Sequence, residues 1–393
     1  MQPLTAAPYR SQYSNAQILA LLRSVALQVQ YGLDLLDQNN NWLEDISGDL
    51  LSFDLERDCT ATIHGTGTFV VTRQLQGGWQ RVRPYCLLSG AGLENVRFDL
   101  GVYVLTSPVA QFNEDPVSYS ITGSDLLYIL DTTIGDTYTV PAGTTYLAAA
   151  QAAANAAGLT GSTVYLDGSS GSLTLPNDLV FPLNNGYGAA FTYLDVINQL
   201  LAAINYIGIW ADWEGNLRSG PYLAPTQLQP EYAFDLTLDQ GIEVEDPRTL
   251  TNDLWQAPNN WLFINENVSG PVVGAGIYQY TNQSWGPSSV DAVGRTITDV
   301  VYLNAADQAT LEGLAKQQIN QAIQLVDELS VKLSPFPVSW HLDVVTVNDP
   351  KLVAAMQPPP ASGIATCQGQ TWSLASDGSD GAQTWQIIGA PLV

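Results

Sequence analysis

The sequence predicts an α+β chain in which β structure dominates: two β-rich ends flank a mixed middle. Three observations carry this. At residues 95–131 the hydrophobic period changes within one stretch, from a strand period to a helical one. The two best short helix patterns, 144–158 and 192–208, both fall in the middle of the chain. A single long amphipathic pattern follows late, at 304–328.

In the pivotal stretch, Val96, Phe98, Leu100, Val102 and Val104 alternate with Arg97, Asp99 and Gly101, which reads as one half-buried strand. Asn113, Asp115 and Pro116 break the pattern, and Val117, Tyr119 and Ile121 resume it. From Asp125 the period becomes helical through Leu126, Leu127, Ile129 and Leu130. This places a domain boundary near residue 124 and predicts three domains: 1–123, 124–240 and 241–393. A chain of 393 residues suits two to three cores.

Ser14 and Gln17 make a capping-box pattern ahead of Ile18, Leu21 and Leu22, predicting a short N-terminal helix. Strand patterns follow through Leu33, Leu35 and Leu36. The run Asp37–Asp45 reads as a polar loop. After it come Leu51, Phe53 and Leu55, and then Ala61, Ile63, Phe69 and Val71 alternate against Thr60, Thr62, His64 and Thr68. Gly77–Gly78 turns the chain into WQRVRPYCLLS. Five or six short strands at this spacing predict a small antiparallel barrel or sandwich. In the middle, a turn at Pro141–Gly143 precedes a helix capped at Thr144 or Thr145 and stopped by Gly158. A hairpin-like stretch carries Gly168 and Gly171. Thr192 and Asp195 cap a second helix with Leu194, Ile197, Leu201 and Ile204 on one face, and a tight hairpin turns at Glu214–Asn216.

Beyond 241, strands are predicted at 242–245, 262–264, 278–280 and 339–347. Two more carry Trp372 and Trp385 around a turn at 377–381. Asn304 serves as N-cap, with Asp307 at N3, for a helix of about six turns bearing Leu311, Leu314, Ala315, Ile319, Ala322 and Val326.

Composition excludes several functions. Thirty-eight acidic against thirteen basic residues give a net charge of −25, which repels nucleic acid and anionic lipid alike. No apolar run reaches the roughly 18 residues of a membrane span, and the stretch 16–29, interrupted by Arg23, makes a poor signal peptide. Cys59, Cys86 and Cys367 have no paired spacing and read as small buried hydrophobes. His64 reads as a hydrogen-bonded surface residue and His341 as a wall residue beside Trp340. Glu243, Glu245 and Asp246 read as a solvated edge rather than a glycosidase pair. No nucleophile elbow, zinc helix or phosphate loop occurs. Asp37, Asn39, Asn41 and Asp45 have the early spacing of a calcium loop, but Trp42 and Gly48 stand where that loop needs Gly and Glu, so a polar turn is expected. The stretch 377–381 is likewise a turn. No catalytic, cofactor-binding or metal-ligating residue is assigned.

The phrases FDLGVYVLTSP, YSITGSD and LLYIL, with ERD and WQRVRPY before them, resemble the tail-tip hub proteins of long-tailed bacteriophages. They are most similar to the minor tail proteins of phages of actinobacteria, which are similar in architecture to the baseplate hubs of contractile tails. TVPAGTTY with its helix, the hairpin around Gly215, and SWHLDVVTVNDP extend the resemblance through the middle and end of the chain. The resemblance implies two antiparallel hub-type β-barrels flanking an α+β domain, with helix 304–328 beside the second barrel. It implies a homotrimeric, non-enzymatic hub of the virion tail tip, assembled in the host cytoplasm, that adapts a sixfold tail tube to threefold tip components and forms a conduit for genome ejection. Its partners would be a distal tail ring protein, a tape-measure protein and spike or fibre proteins. Neither sequence-specific nucleic-acid binding nor membrane insertion is expected. A chain ending soon after the second barrel leaves no room for a lytic extension. The rival reading is a secreted β-rich carbohydrate-binding module, favoured by ten Trp and eighteen Tyr, although most of these aromatics fall at core-like strand positions.

Overall fold

Ser14 accepts from the Gln17 amide while the Gln17 side chain accepts from the Ser14 amide, so helix α1 (Asn15–Leu22) starts where the capping box placed it. Its Ile18, Leu21 and Leu22 enter the core. The structure is a computed structural model. It describes the chain apart from residues 1, 7, 25, 77–79, 113–116, 160–162, 184–189, 224–227, 236–243, 252–256, 266–275, 285–287, 304, 306, 325–327, 334–335, 349–364, 377–381 and 389–393.

Eight strands follow: β1 (Gln28–Leu36), β2 (Trp42–Asp45), β3 (Leu50–Asp58), β4 (Gly65–Val71), β5 (Arg81–Gly90), β6 (Leu93–Asp99), β7 (Tyr103–Gln111) and β8 (Ser118–Ser124). They pair antiparallel in the order β3-β4-β8-β7-β5-β1-β2, with β6 on β5. Phe53, Leu55 and Phe69 point inward as read from the sequence, but Leu51 is exposed because the β3–β4 register shifts between Leu50 and Ser52. The expected single strand 96–104 is two strands. Gly101 adopts φ +103, a conformation that L side chains rarely take, and the chain breaks there between β6 and β7. All residues from Phe98 to Val104 are buried, so alternation there does not mean a half-exposed strand. Part of the loop expected at 37–45 is strand β2. The turns at 77–78 and 113–116 lie outside the described residues.

The middle unit starts with a helical turn α2 (Leu127–Leu130), as the change of period implied. It continues with β9 (Tyr138–Val140), α3 (Tyr146–Ala156), β10 (Val164–Leu166), β11 (Leu179–Phe181), α4 (Tyr193–Ala202), β12 (Trp210–Ala211) and β13 (Leu217–Ser219). Thr145 caps α3, and Thr192 with Asp195 forms a capping box on α4. Ala149, Ala150, Ala153 and Ala154 give α3 a small buried face that lets α4 approach closely. The five buried apolar side chains of α4 each contribute roughly 1.5–3 kcal/mol. The hairpin expected around Gly168 and Gly171 is absent: β10 pairs in parallel with β13, and Gly168–Ser170 form a 3-10 turn. Two partners distant in sequence won over a local one.

The last segment comprises β14 (Tyr232–Asp235), β15 (Val244–Thr251), β16 (Asn260–Asn265), β17 (Ile277–Thr281), α5 (Val290–Val293), β18 (Thr298–Leu303), α6 (Gln308–Gln324), β19 (Glu328–Leu333), β20 (Val344–Asn348), β21 (Ala365–Ala375) and β22 (Ala382–Ile388). Helix α6 is shorter than expected at both ends. Asp307 accepts from the Thr310 amide and fills the capping role, and β19 already begins at Glu328. Asn304 and Val326 lie outside the described residues. Leu311, Leu314, Ala315 and Ile319 are buried as expected, against Trp261 and Phe263 of the three-stranded sheet β17-β16-β18. The strand expected from 339 begins only at Val344. Residues before it form a turn in which Leu342 takes φ +53.

Strand β21 pairs with β3, from Thr371↔Asp58 to Ala375↔Asp54, so the first and last segments share one sheet. Its described path is open and runs from β15 to β2. They also share a core, in which Phe53, Phe69 and Phe98 pack with Tyr232, Phe234, Leu329, Phe336 and Val345. The chain is therefore α+β and mainly β.

Candidate functional site

Strand β3 alternates inward through Phe53 and Leu55, and the same face then presents Arg57. Arg57 is buried, with its guanidinium carbon 3.8 Å from the centre of the Trp340 ring. Its Nε and Nη1 have no hydrogen-bond partner. A charge in this position must be offset by its surroundings, and here a ring face and a buried carboxylate do so.

The carboxylate is Asp125. Its Oδ2 accepts from the Gly65 amide at 2.7 Å and its Oδ1 from the Leu127 amide at 2.9 Å, so one side chain joins the start of β4 to the start of α2. Burial raises its pKa to about 6, with Arg57 pulling the other way. The two amide bonds fix the junction of strand and helix at Asp125.

From the other side comes the turn before β20. Phe336 and Val338 sit in the shared core, while Trp340 donates from Nε1 to the Ala211 carbonyl of the middle unit at 2.9 Å. His341 follows, buried between two rings: Trp210 at 5.3 Å and His64 at 4.5 Å, both nearly parallel to it. Neither imidazole Nδ1 has a partner. Burial lowers the His64 pKa to about 4, assisted by Arg57, and holds His341 well below the ordinary range. His64 is therefore no hydrogen-bonded surface residue, and His341 is no strand residue. The sequence reading set the two apart; the fold stacks them.

Three parts of the chain thus meet in one aromatic and charged joint: β3 and β4, the middle unit, and the turn 336–343. A second contact supports it. Gly215, at φ +81 in the β12–β13 turn, lies so close to Val102 that an added Cβ would come within 2.6 Å of the valine Cβ. Only glycine suits both the backbone and the space.

A further network ties the N-terminal segment to β1, β5 and β6. Buried Asp34 accepts from Arg83 at 2.8 Å and also from Arg97, whose Nε donates to Asp99 at 2.8 Å. The Arg97 guanidinium lies over Tyr85, 3.7 Å from the ring centre, and over Tyr9 at 4.5 Å. Burial opposes the Arg97 charge, but Asp99 and Asp34 outweigh it and raise its pKa. Arg10 donates to the carbonyls of Pro3, Leu4 and Arg97, and Gln2 to those of Val338 and Asp99.

Neither cluster places a nucleophile beside a base. Burial pushes the Cys59 thiol up to about 12 and raises Cys86 further, so both stay protonated; Cys59 is half-buried rather than fully buried as expected. The side chains of Cys367, Glu245 and Asp246, and residue Glu243, lie outside the described set. The Asp37 carboxylate accepts from the Asn39 and Asn41 amides and from the Asn41 side chain, which holds its pKa low, while Asp45 turns to Ser47 and Tyr85. The calcium-like spacing thus folds as a capped turn. Among the described residues no group of three or more His, Cys, Asp or Glu side chains is arranged to hold a metal ion.

No protein-family model matches the sequence, and no curated protein matches it. The fold does have solved counterparts. The chain is similar to the tail protein from Neisseria meningitidis MC58, with a TM-score of 0.61 and 14% identity over 92% of this chain and 97% of that one. It is similar to the 43 kDa tail protein of prophage MuSo2 from Shewanella oneidensis, with a TM-score of 0.57 and 12% identity over 91% and 98%. It also matches a chain of the Francisella PdpA-VgrG complex at 0.53 and 11%, over 94% of this chain and 54% of that longer one. At these identities the likeness establishes the fold alone, which is shared with these phage tail proteins.

Proposed function

We propose that this chain is a structural, non-enzymatic component of a phage-like tail: a homotrimeric hub of the tail tip. The observation that carries the reading is a tail-protein fold matched over more than nine-tenths of both chains in two cases. In this reading residues 1–123 and 241–393 are two hub barrels flanking the α+β domain 124–240, and three subunits present six similar units to a sixfold tube. The distal tail ring lies above, the tape-measure protein inside, and spike or fibre proteins below; the particle is assembled in the host cytoplasm. In this reading its kin include the hubs of actinobacteriophages. Exposed apolar groups at Trp42 and Leu43 of the edge strand β2, at Leu51 of β3, and at Val109 and Phe112 of β7 and its turn supply contact surfaces that a free monomer would leave in water.

The test is imaging of assembled particles, with light scattering on the isolated chain. Three chains per ring are expected, with 1–123 and 241–393 sharing a strand order. Six chains per ring, or unrelated topologies, would overturn the proposal.

A conduit must let DNA pass without holding it, which fits the net charge of −25. In a mobility-shift titration at roughly 150 mM salt, no binding of duplex DNA is expected even at the about 10⁻⁴–10⁻⁶ M reached by ordinary non-specific binders. Submicromolar binding would contradict the conduit.

A further inference from the structure

We propose that an open cleft in the middle unit binds a neutral saccharide, a role independent of the tail assignment. Register places three planar groups side by side on one face of a small sheet. Tyr165 of β10 lies opposite Arg218 of β13, and Arg218 lies opposite Trp210 of β12. The other face, with Val164, Leu166, Leu217 and Ala211, is turned into the core. The row Tyr165–Arg218–Trp210 borders a cleft of about 760 Å³, also lined by Gln151 and Asp167. That volume is in the range of sites for compact organic ligands.

These groups are held in place rather than swinging freely. The Arg218 Nε donates to Asp212, a carboxylate with no exposure, at 2.5 Å, and the Arg218 guanidinium carbon sits 5.2 Å from the centre of the Tyr165 ring. Trp210 is stacked on His341, so its ring is braced by the joint. Tyr165 keeps 46% of its surface exposed although it lines a cleft.

The polar inventory selects the ligand. Arg218 is neutralised by Asp212, and Asp167 at the rim is an exposed carboxylate held ionised by the Ser169 hydroxyl and amide. The cleft therefore carries no surplus positive charge, and polyanions are disfavoured. A purely apolar ligand would cover the remaining Arg218 N–H groups and the Gln151 oxygen without bonding to them. A pyranose satisfies both demands. Its C–H face packs on an aromatic ring, while its hydroxyls donate to Asp167 and the Gln151 oxygen and accept from the remaining Arg218 N–H groups. The Gln151 amide nitrogen is already directed at Asn155, which leaves its oxygen as the acceptor.

Calorimetry and saturation-transfer NMR on the full chain would use cellotetraose, maltotetraose and chitotetraose at up to about 10 mM. At least one is expected to bind, with a Kd between about 10 µM and 1 mM. Tyr165→Ala should weaken that binding roughly ten-fold, while Tyr165→Phe should keep it. Because Tyr165 is half exposed, both variants should melt like the parent, which separates site loss from unfolding. The proposal is overturned if no tetrasaccharide binds, or if Tyr165→Ala leaves binding unchanged. Tighter binding of a sulfated tetrasaccharide or of an apolar peptide would overturn it as well. None of these outcomes bears on the number of chains in a tail ring.

Discussion

Replacing Arg57 with alanine is expected to lower the free energy of unfolding by about 2 kcal/mol or more, the range for a desolvated cation on a ring face. The size follows from what is left behind. Asp125 is fully buried and bound to two backbone amides, and Arg57 supplies the positive charge that offsets it. Trp340 also loses the cation on its face, and the joint loses the packing of a long side chain. Arg57→Met separates these effects, since methionine restores the packing without the charge. The loss in Arg57→Met should be smaller than in Arg57→Ala. It should shrink again when Asp125→Asn is added, because an amide needs no counter-charge. Urea denaturation of the parent, Arg57→Met, Asp125→Asn and the double variant gives the coupling directly. A loss below about 1 kcal/mol in Arg57→Ala, or strict additivity of Arg57→Met with Asp125→Asn, would show that the two groups do not stabilise each other.

The value of this joint in a tail component would be mechanical. The sheet side contributes Arg57 and His64, the middle unit Asp125 and Trp210, and the turn 336–343 Trp340 and His341. Under the proposed role, a load entering through β4 reaches α2 through Asp125, and one entering through β3 reaches β12 through Arg57 and Trp340. A variant such as Arg57→Ala should therefore loosen the middle unit before it melts the sheet, which amide exchange at residues 193–219 would detect.

The helices of the middle unit were legible in the sequence because their signals are local. Thr145, Thr192 and Asp195 act on amides within three residues, and the buried face of α4 repeats at helical spacing. The core strands were legible for the same reason, since Phe53, Leu55 and Phe69 alternate. What failed were the non-local decisions. Nothing near Val164 says that its partner is Leu217, and nothing near Asp58 says that Thr371 lies beside it. The break at Gly101 hid inside a continuing alternation, because both flanks of the turn are buried. The joint had left a trace that alternation alone does not read. Arg57 falls on the inward face of β3, and Asp34 sits between Leu33 and Leu35 of β1. A charge at an inward position asks for a buried partner. The identity of those partners, Trp340 some 280 residues away above all, could come only from the fold.

Between about pH 6.5 and pH 4, Asp125→Asn is expected to lose stability relative to the parent as the pH falls. Two opposing proton balances produce this. The folded His64 pKa is about 4 against an ordinary 6.5, so across that window the unfolded chain takes up a proton that the folded chain refuses. Stability from this source is complete above 6.5 and is lost as the pH falls toward 4. His341 is lowered by burial and acts in the same direction. Asp125 works the other way. Its folded pKa is about 6 against 3.8, so between these values the folded chain holds a proton that the unfolded chain has released, and lowering the pH stabilises it. Asp343, raised to about 6 mainly by burial, adds to that. The charges facing the pair of imidazoles are Arg57, which disfavours their protonation, and Asp58, which favours that of His64. Within the joint the two carboxyl groups therefore oppose the two imidazoles. Removing Asp125 leaves one histidine proton unbalanced, a slope on the order of 1 kcal/mol per pH unit. Denaturation curves for the parent and Asp125→Asn at about pH 7, 6 and 5 test this, with His64→Gln as the converse, gaining stability relative to the parent as the pH falls. Parallel profiles for parent and Asp125→Asn would mean that Asp125 is ionised throughout and that the joint holds a full ion pair rather than a proton.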